Sequence, residues 1–345
     1  MKLAFSFLCL SASVSGVLLP IAATPSFKAS PPPKYTITDL GALSGTFITG
    51  NAINSRGQVT GGASTEGDAM THAFFYDGKV MHDIGISGDR TSEGYGINAK
   101  GEITGYRDDG VSRHPFLSDG LRMKPLKVLS GISGQGNAIN ADGQIVGTAH
   151  FSEALIFHAF LYDGKQIKDL GTLGGRNSEG KGINDKGQVV GSSFTSDNEG
   201  EHAFLYDRGK MIDLGTLGGG FSQANAINNR AEVTGQSSLK GDTTLHAFLY
   251  RDKKMKDLGT LGGKRSEGLG INNRGQVVGR SDDKLSHTAF LYSEGKMIDL
   301  QTLLPARSLW SLSDAHSIND QGWITGTGRN RGKIHAFLMR PVPNR

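Results

Sequence analysis

From about residue 35 onward the chain runs in short apolar-polar alternations that return in a fixed order. Residues 178–184, 188–193, 202–206 and 211–214 show one cycle: each run has the length and period of a strand, and turn residues bound each one. Between the first two runs lies Asn184-Asp185-Lys186-Gly187, where the Asn side chain accepts from its own backbone and Gly takes a positive φ. In another cycle Ala231 occupies the Gly place, which should strain or reshape that turn. Between the last two runs Asp-Gly recurs (Asp77-Gly78, Asp119-Gly120, Asp163-Gly164), a two-residue hairpin signal.

Self-similarity carries the pattern to the whole chain. Ile-Asn-x-x-Gly followed by an apolar strand places its Asn at Asn54, Asn98, Asn140, Asn184, Asn228, Asn272 and Asn319, a period of about 44 residues. His-Ala-Phe independently counts the same seven copies, with Phe74, Phe116, Phe160, Phe204, Phe248, Phe290 and Phe337. A third motif, built on Asp-Leu-Gly, begins at Asp39, Asp83, Asp169, Asp213, Asp257 and Asp299, with Gln301 in place of the last Gly and Pro125-Leu126 as its eroded third copy.

Four antiparallel strands per copy at this period predict an all-β, seven-bladed β-propeller over residues 35–340, with a β-solenoid as the rival. The ends of the repeat array favour the ring. Residues 35–40 are a fourth strand without a third, and residues 335–339 are a third without a fourth, so pairing them completes one blade. The repeated His-Ala-Phe-Leu-Tyr, Asp-Leu-Gly-Thr-Leu-Gly-Gly and Gly-Ile-Asn-x-x-Gly-Gln-Val-Val-Gly resemble the HAF-type extracellular repeat of bacteria over residues 35–339. That resemblance implies export and a repeat architecture, and it supplies no reaction, ligand or catalytic residue.

Ahead of the repeats, Met1-Lys2 and an apolar stretch to Ala23 read as a signal peptide over residues 1–23, against the rival of a membrane anchor. Ser6, Ser11, Ser13, Ser15, Gly16 and Pro20 make a weak span. Residues 24–34 read as a Pro-rich linker and 341–345 as a tail. Cleavage would remove Cys9, the sole cysteine, and with it disulfides and thiol chemistry. It also removes Lys2, taking the net charge from +4 to +3, too near neutral for a nucleic-acid partner. The expected product is a secreted or periplasmic monomer with no membrane span, cofactor or metal.

Candidate chemistry concentrates on the first strand of each copy. Five residues before each Asn stand Thr49, Glu93, Gln135, Glu179, Gln223, Glu267 and Asp314. The first strand of a propeller blade is innermost, so this column should ring one channel mouth, joined by Arg90, Arg176, Arg265 and Arg307 from adjoining loops. The bland alternative is that Glu and Gln simply bond a neighbouring strand in each blade. In the seventh copy an insertion over residues 303–314 carries Trp310, either an exposed stacking platform or a plug against the ring closure. The His column reads as structural, paired with the Asp of Asp-Leu-Gly, because one ligand per blade cannot make a metal shell. The Gly-rich loops lead from strand to strand, not into a helix, which argues against phosphate cradles.

Turn cations Arg56, Lys100, Lys186, Arg230 and Arg274, with Lys79, Lys165, Lys210, Lys254 and Lys296, should make one face basic. The opposite loops hold Glu66, Asp68, Asp108, Asp109, Asp197, Glu199, Asp282 and Asp283. Such a face suits an anionic polysaccharide or cell-envelope surface, or it serves only solubility. A binding scaffold for an extracellular or envelope glycan or protein is the leading functional expectation. A propeller hydrolase or lyase using Glu93, Glu179, Glu267 or Asp314 is the alternative, weakened because acid–base catalysis needs groups in unlike environments.

Overall fold

The computed structural model describes residues 33–126, 133–150, 156–196, 200–241, 244–283 and 286–343; the expected signal peptide and residues 24–32 of the linker lie outside the described residues. The four runs of the fourth copy are strands Gly174–Ile183, Val189–Thr195, Glu201–Asp207 and Lys210–Asp213, hereafter strands a to d. They pair antiparallel in that order. Equivalent sets begin with Ile48–Ile53, Thr91–Ile97, Gly134–Ile139, Gly218–Ile227, Ser266–Ile271 and Trp310–Ile318. We number these units 1 to 7 in chain order. Single parallel pairings, Thr71↔Thr91 and Glu201↔Phe221, join units 1 and 2 and units 4 and 5 into eight-stranded sheets.

Unit 7 is completed by the start of the chain. Tyr35–Asp39 pairs antiparallel with Lys333–Pro341, in register from Tyr35↔Pro341 to Asp39↔Phe337. The pairing expected from the sequence is therefore present, and it runs two residues past Met339. Leu40 extends the seam, its N–H donating to the Ala336 carbonyl at 3.1 Å.

Each unit is packed around its His-Ala-Phe phenylalanine, and all seven of these rings are wholly buried. Across the b–c ladder each faces a glycine, as in Gly191↔Phe204 and Gly279↔Phe290. A β-carbon on Gly191 would lie 1.7 Å from the Glu179 carbonyl oxygen, and one on Gly279 would lie 1.9 Å from that of Glu267. Strand a is bulged there (Gly180/Gly182, Gly268/Gly270) and presses its backbone onto strand b, so the Gly of the Val-Gly step is a close-approach residue.

The a–b turn does more than reverse the chain. Asn184 Oδ1 accepts from the Lys186 and Gln188 backbone N–H groups, and Asn184 Nδ2 donates to Gln188 Oε1 and to the Asn228 carbonyl. The last bond repeats around the molecule. Asn54 donates to the Asn98 carbonyl, Asn98 to Asn140, Asn140 to Asn184, Asn228 to Asn272, Asn272 to Asn319, and Asn319 back to Asn54. Seven buried side chains thus form a closed cycle. They line, with the preceding isoleucines, an axial cavity of about 250 Å³. Ala231 keeps every turn hydrogen bond and takes φ +60°, beside +72° at Gly187 and +75° at Gly275, so the turn is strained and not reshaped.

The c–d turn differs from the sequence expectation by one position. Asp77 stands before the two central residues, and its Oδ1 accepts from the Lys79 and Val80 N–H groups while Gly78 takes φ +106°. These bonds hold the Asp77 carboxyl down at about 2, the Val80 N–H contributing most, then His82 and the Lys79 N–H. The His–Asp pairing expected of the repeat is present in five units: His72–Asp83, His158–Asp169, His202–Asp213, His246–Asp257 and His335–Asp39, each at 2.8–2.9 Å. The same aspartates accept from the N–H two residues on, as Asp169 does from Gly171 at 2.7 Å, and so fix the start of the d–a loop. His114 turns instead to Asp109, because Pro125 occupies the aspartate's place, and His287 turns to Asp282.

Candidate functional site

The column five residues before each ring Asn acquires a partner column on strand b. The cross-strand pairs are Thr49↔Gly62, Glu93↔Tyr106, Gln135↔Thr148, Glu179↔Ser192, Gln223↔Gln236, Glu267↔Arg280 and Asp314↔Thr327. Side chains directly opposite on one face of an antiparallel pair touch, so units 2 to 7 each present a two-residue patch, and unit 1, with Gly62, presents Thr49 alone. The phenylalanine, Asn and His–Asp positions repeat almost without change, whereas these patches differ from unit to unit.

Bonding within the column runs between neighbouring units. Glu93 Oε1 accepts from Asn51 Nδ2 at 2.9 Å and from Thr49 Oγ1 at 3.2 Å, both in unit 1, and Oε2 accepts from the Tyr95 hydroxyl. Burial, with the Glu93 charge adding to it, pushes the Tyr95 hydroxyl well above the ordinary tyrosine range. Gln223 Nε2 donates to Ser192 Oγ in unit 4 at 3.4 Å. Glu267 is 8% exposed; it accepts from Asn225 at 2.9 Å and takes two bonds from Arg280, at 3.0 and 2.8 Å. Arg280 also reaches Asp314 in unit 7, at 3.6 Å. Desolvation holds the nearby His316 imidazole below its ordinary range, with Arg280 acting the same way against Asp314 and Glu267.

Parts of the column also line two cavities. Gln135 and Glu179 share a cavity of about 290 Å³ with Arg113, His150 and Phe157. Glu267 and Arg265 share a second, of about 250 Å³, with Arg280 and His287. Arg90, Arg176 and Arg307 are exposed. Glu179 keeps 37% of its side chain exposed and lies 3.8 Å from Lys181, so of the carboxylates it is well placed to meet a ligand. The bland alternative raised from the sequence, bonding to a neighbouring strand, describes Glu93, Gln223 and Glu267.

Of the two alternatives for Trp310, the structure takes the plug. The residue is 8% exposed and packs edge-on against His335 and Phe337, at centroid distances of 6.1 and 6.0 Å. Leu300, Leu303, Leu304 and Leu312 join it in one cluster with Tyr35 and Met339. The insertion is apolar enough to bury itself over the seam where the two chain ends meet, so Trp310 is the plug and not an exposed platform.

A second inter-unit link escaped the sequence reading. Asn51, Asn137 and Asn225, three residues before the ring Asn, donate to the carbonyls of Gly94, Gly180 and Gly268 in the following unit. Its signal was the alternation of Asn-Ala-Ile-Asn with Gly-x-Gly-Ile-Asn in successive copies. Among the described residues no group of His, Cys, Asp and Glu is placed to hold a metal ion. No helix of the described residues is long and apolar enough to cross a membrane.

Comparison with solved structures places the architecture. The β-propeller domain of the Trilobed protease from Pyrococcus furiosus aligns at TM-score 0.54 and 12% identity, covering 87% of this chain and 96% of that one. YCF48, solved with a D1 peptide bound, aligns at TM-score 0.54 and 11% identity, covering 92% and 99%. The fold is a β-propeller. TolB from Acinetobacter baumannii aligns at TM-score 0.49 and 15% identity over 70% of this chain, which spans 62% of that protein's length. A family model described as "Protein of unknown function (DUF3466)" matches residues 221–337, and no curated protein matches the chain.

Proposed function

We propose that this chain is an exported seven-bladed propeller of the HAF repeat type that acts as a binding scaffold, each four-strand unit being one blade. Its signal peptide spans residues 1–23, and its place of work is secreted or periplasmic. Its partner is an extracellular or envelope glycan or protein, recognised by the strand a and b patches.

One observation carries this reading. The framework positions are near-identical in every unit, while no two units carry the same pair at the patch positions. A frame held constant beneath a varied polar surface suits recognition of one asymmetric ligand. YCF48, of similar architecture, is a propeller captured with a peptide, which supports the same kind of use here. Screening the purified protein against a glycan array, envelope polymers and extracellular peptides, with turnover followed in parallel, tests the reading. A ligand bound without conversion and weakened by Glu179→Gln is the expected result. Conversion of a bound polymer would replace the scaffold by a hydrolase or lyase.

A further inference from the structure

The face formed by the a–b and c–d turns carries a site of a different kind. Between units 5 and 6 lies a cleft of about 820 Å³ whose lining includes Arg251, Lys254, Lys256, Arg274 and Tyr292. Its volume falls in the range of about 300–1,000 Å³ usual for ligand sites. Arg251 pairs with Lys254 across the c–d hairpin, Lys256 donates to the Tyr292 hydroxyl at 2.9 Å, and Arg274 comes from the a–b turn of unit 6.

The repeat shows how unusual this is. Where unit 5 has Arg251, units 1 to 4 have Asp77, Asp119, Asp163 and Asp207, unit 6 has Ser293 and unit 7 has Arg340. The four places filled here by Arg251, Lys254, Lys256 and Arg274 hold Asp207, Lys210, Ile212 and Arg230 between units 4 and 5. Between units 3 and 4 they hold Asp163, Gln166, Lys168 and Lys186. At these four places four cations stand for two cations and one carboxylate, while Asp252 and Glu294 of the lining fall where the boundary between units 4 and 5 has Arg208 and Asp252.

Two adjoining residues of unit 5, Ala231 and Glu232, also differ from the commonest residue of the repeat. Glu232 stands, as Glu102 does in unit 2, where units 1, 3, 4 and 6 have Gln58, Gln144, Gln188 and Gln276. Buried, it binds Arg251 on one side and Arg230, at 2.8 Å, on the other. Ala231 precedes it in the strained turn. Glu232 thereby holds the Arg251 guanidinium against the unit 6 turn, where it lies 2.5 Å from the place a Gly275 β-carbon would take. A substituted, braced arginine in a cleft is a built feature, whereas scattered turn lysines serve solubility.

We propose that this cleft binds an acidic saccharide, a chain bearing carboxylate or sulfate groups, as a second site of the scaffold. The proposal rests on the scaffold reading and adds a site separate from the strand a and b patches. Cations spread over two units match charges spaced along a polymer. Asp252 and Glu294, also in the lining, offer acceptors for sugar hydroxyls, which an acidic peptide supplies less densely.

The full chain is titrated calorimetrically with hexagalacturonate, a sulfated hexasaccharide, neutral cellohexaose and a polyglutamate peptide. The expected result is salt-sensitive binding of an acidic hexasaccharide and none of cellohexaose. Lys254→Glu and Arg251→Ser each weaken it by about tenfold, the loss of one charged contact. Lys165→Gln, in the c–d turn of unit 3, leaves it unchanged. Lys254 is exposed, so the first variant stays folded even if Arg251→Ser loosens unit 5. Binding of neither acidic saccharide, undiminished binding by Lys254→Glu, or tighter binding of polyglutamate overturns the proposal. The patch reading is tested apart from this, by Glu179→Gln against ligands that Lys254→Glu does not weaken, so failure there leaves this cleft standing.

Discussion

Ala231 shows how far hydrogen bonding can override a local preference. A non-glycine residue in the left-handed region costs about 1–2 kcal/mol, while glycine costs about 0.5–1 kcal/mol in the unfolded chain. Ala231→Gly should therefore raise stability by a net of roughly 0.5–1 kcal/mol, read by urea denaturation; unchanged or lower stability would show that the turn is not strained. At the c–d turns, Asp77 has a folded-state pKa of about 2, and the Asp119 and Asp163 carboxyls are lowered the same way, chiefly by the Arg122 and Gln166 N–H groups. A depressed carboxyl stabilises the fold above its unfolded pKa, near 4, and that contribution disappears as pH falls towards 2. Replacing all three by Asn should flatten the acid limb of the stability curve between about pH 4 and pH 2. An acid limb of unaltered slope would mean the turn carboxylates are not the groups that take up protons.

Among the elements, strand a carries two kinds of acidic position under one sequence pattern. Glu267 is buried against Arg280 and Asn225, whereas Glu179 is part-exposed. Glu267→Gln should cost about 1–3 kcal/mol through a buried charged partner left short, while Glu179→Gln should stay within about 0.5 kcal/mol. Parallel thermal melts separate them, and equal effects would mean the two environments do not differ in energy. The insertion before strand a of unit 7 behaves as core. Trp310→Ala should cost about 3–5 kcal/mol, and a small loss there would return Trp310 to the surface.

The whole molecule depends on joining its ends. Tyr35 is 2% exposed, with its hydroxyl pushed up to about 12 by burial, and Tyr35–Asp39 supplies the outer strand of unit 7. Deleting residues 33–40 should greatly weaken folding, since one ladder and the lid of the Trp310 cluster go together. A truncated chain as heat-stable as the parent would refute closure by the two termini. The ring has a further constraint of number. Asn51, Asn137 and Asn225 alternate with the glycine-rich units and reach forward, but seven units cannot alternate evenly. Unit 7 breaks the series with His316, which lies 3.2 Å from Asn51 of unit 1.

Much of the architecture was legible in the sequence because repetition multiplies weak signals. A single Asn-x-x-Gly or His-Ala-Phe specifies little, but seven spaced copies establish the period, the strand order and the incomplete ends whose pairing the structure contains. The His–Asp pairs were readable for the same reason, except where Pro125 and the displaced His287 broke the motif. Burial of individual side chains was not readable. The same Glu on the same strand is a buried bridge in unit 6 and a part-exposed group in unit 4, because its partners differ: Asn225 of the preceding unit and Arg280 of the adjoining strand in one case, Lys181 two residues along in the other. Trp310 was undecided for that reason as well, since its neighbours His335, Phe337 and Tyr35 come from both ends of the chain. Local periodicity determined which strands form and how they follow one another. Contacts between distant segments decided which of the repeated polar residues became mortar and which stayed free to meet a partner, because desolvation and pairing depend on what tertiary packing brings within a few ångströms.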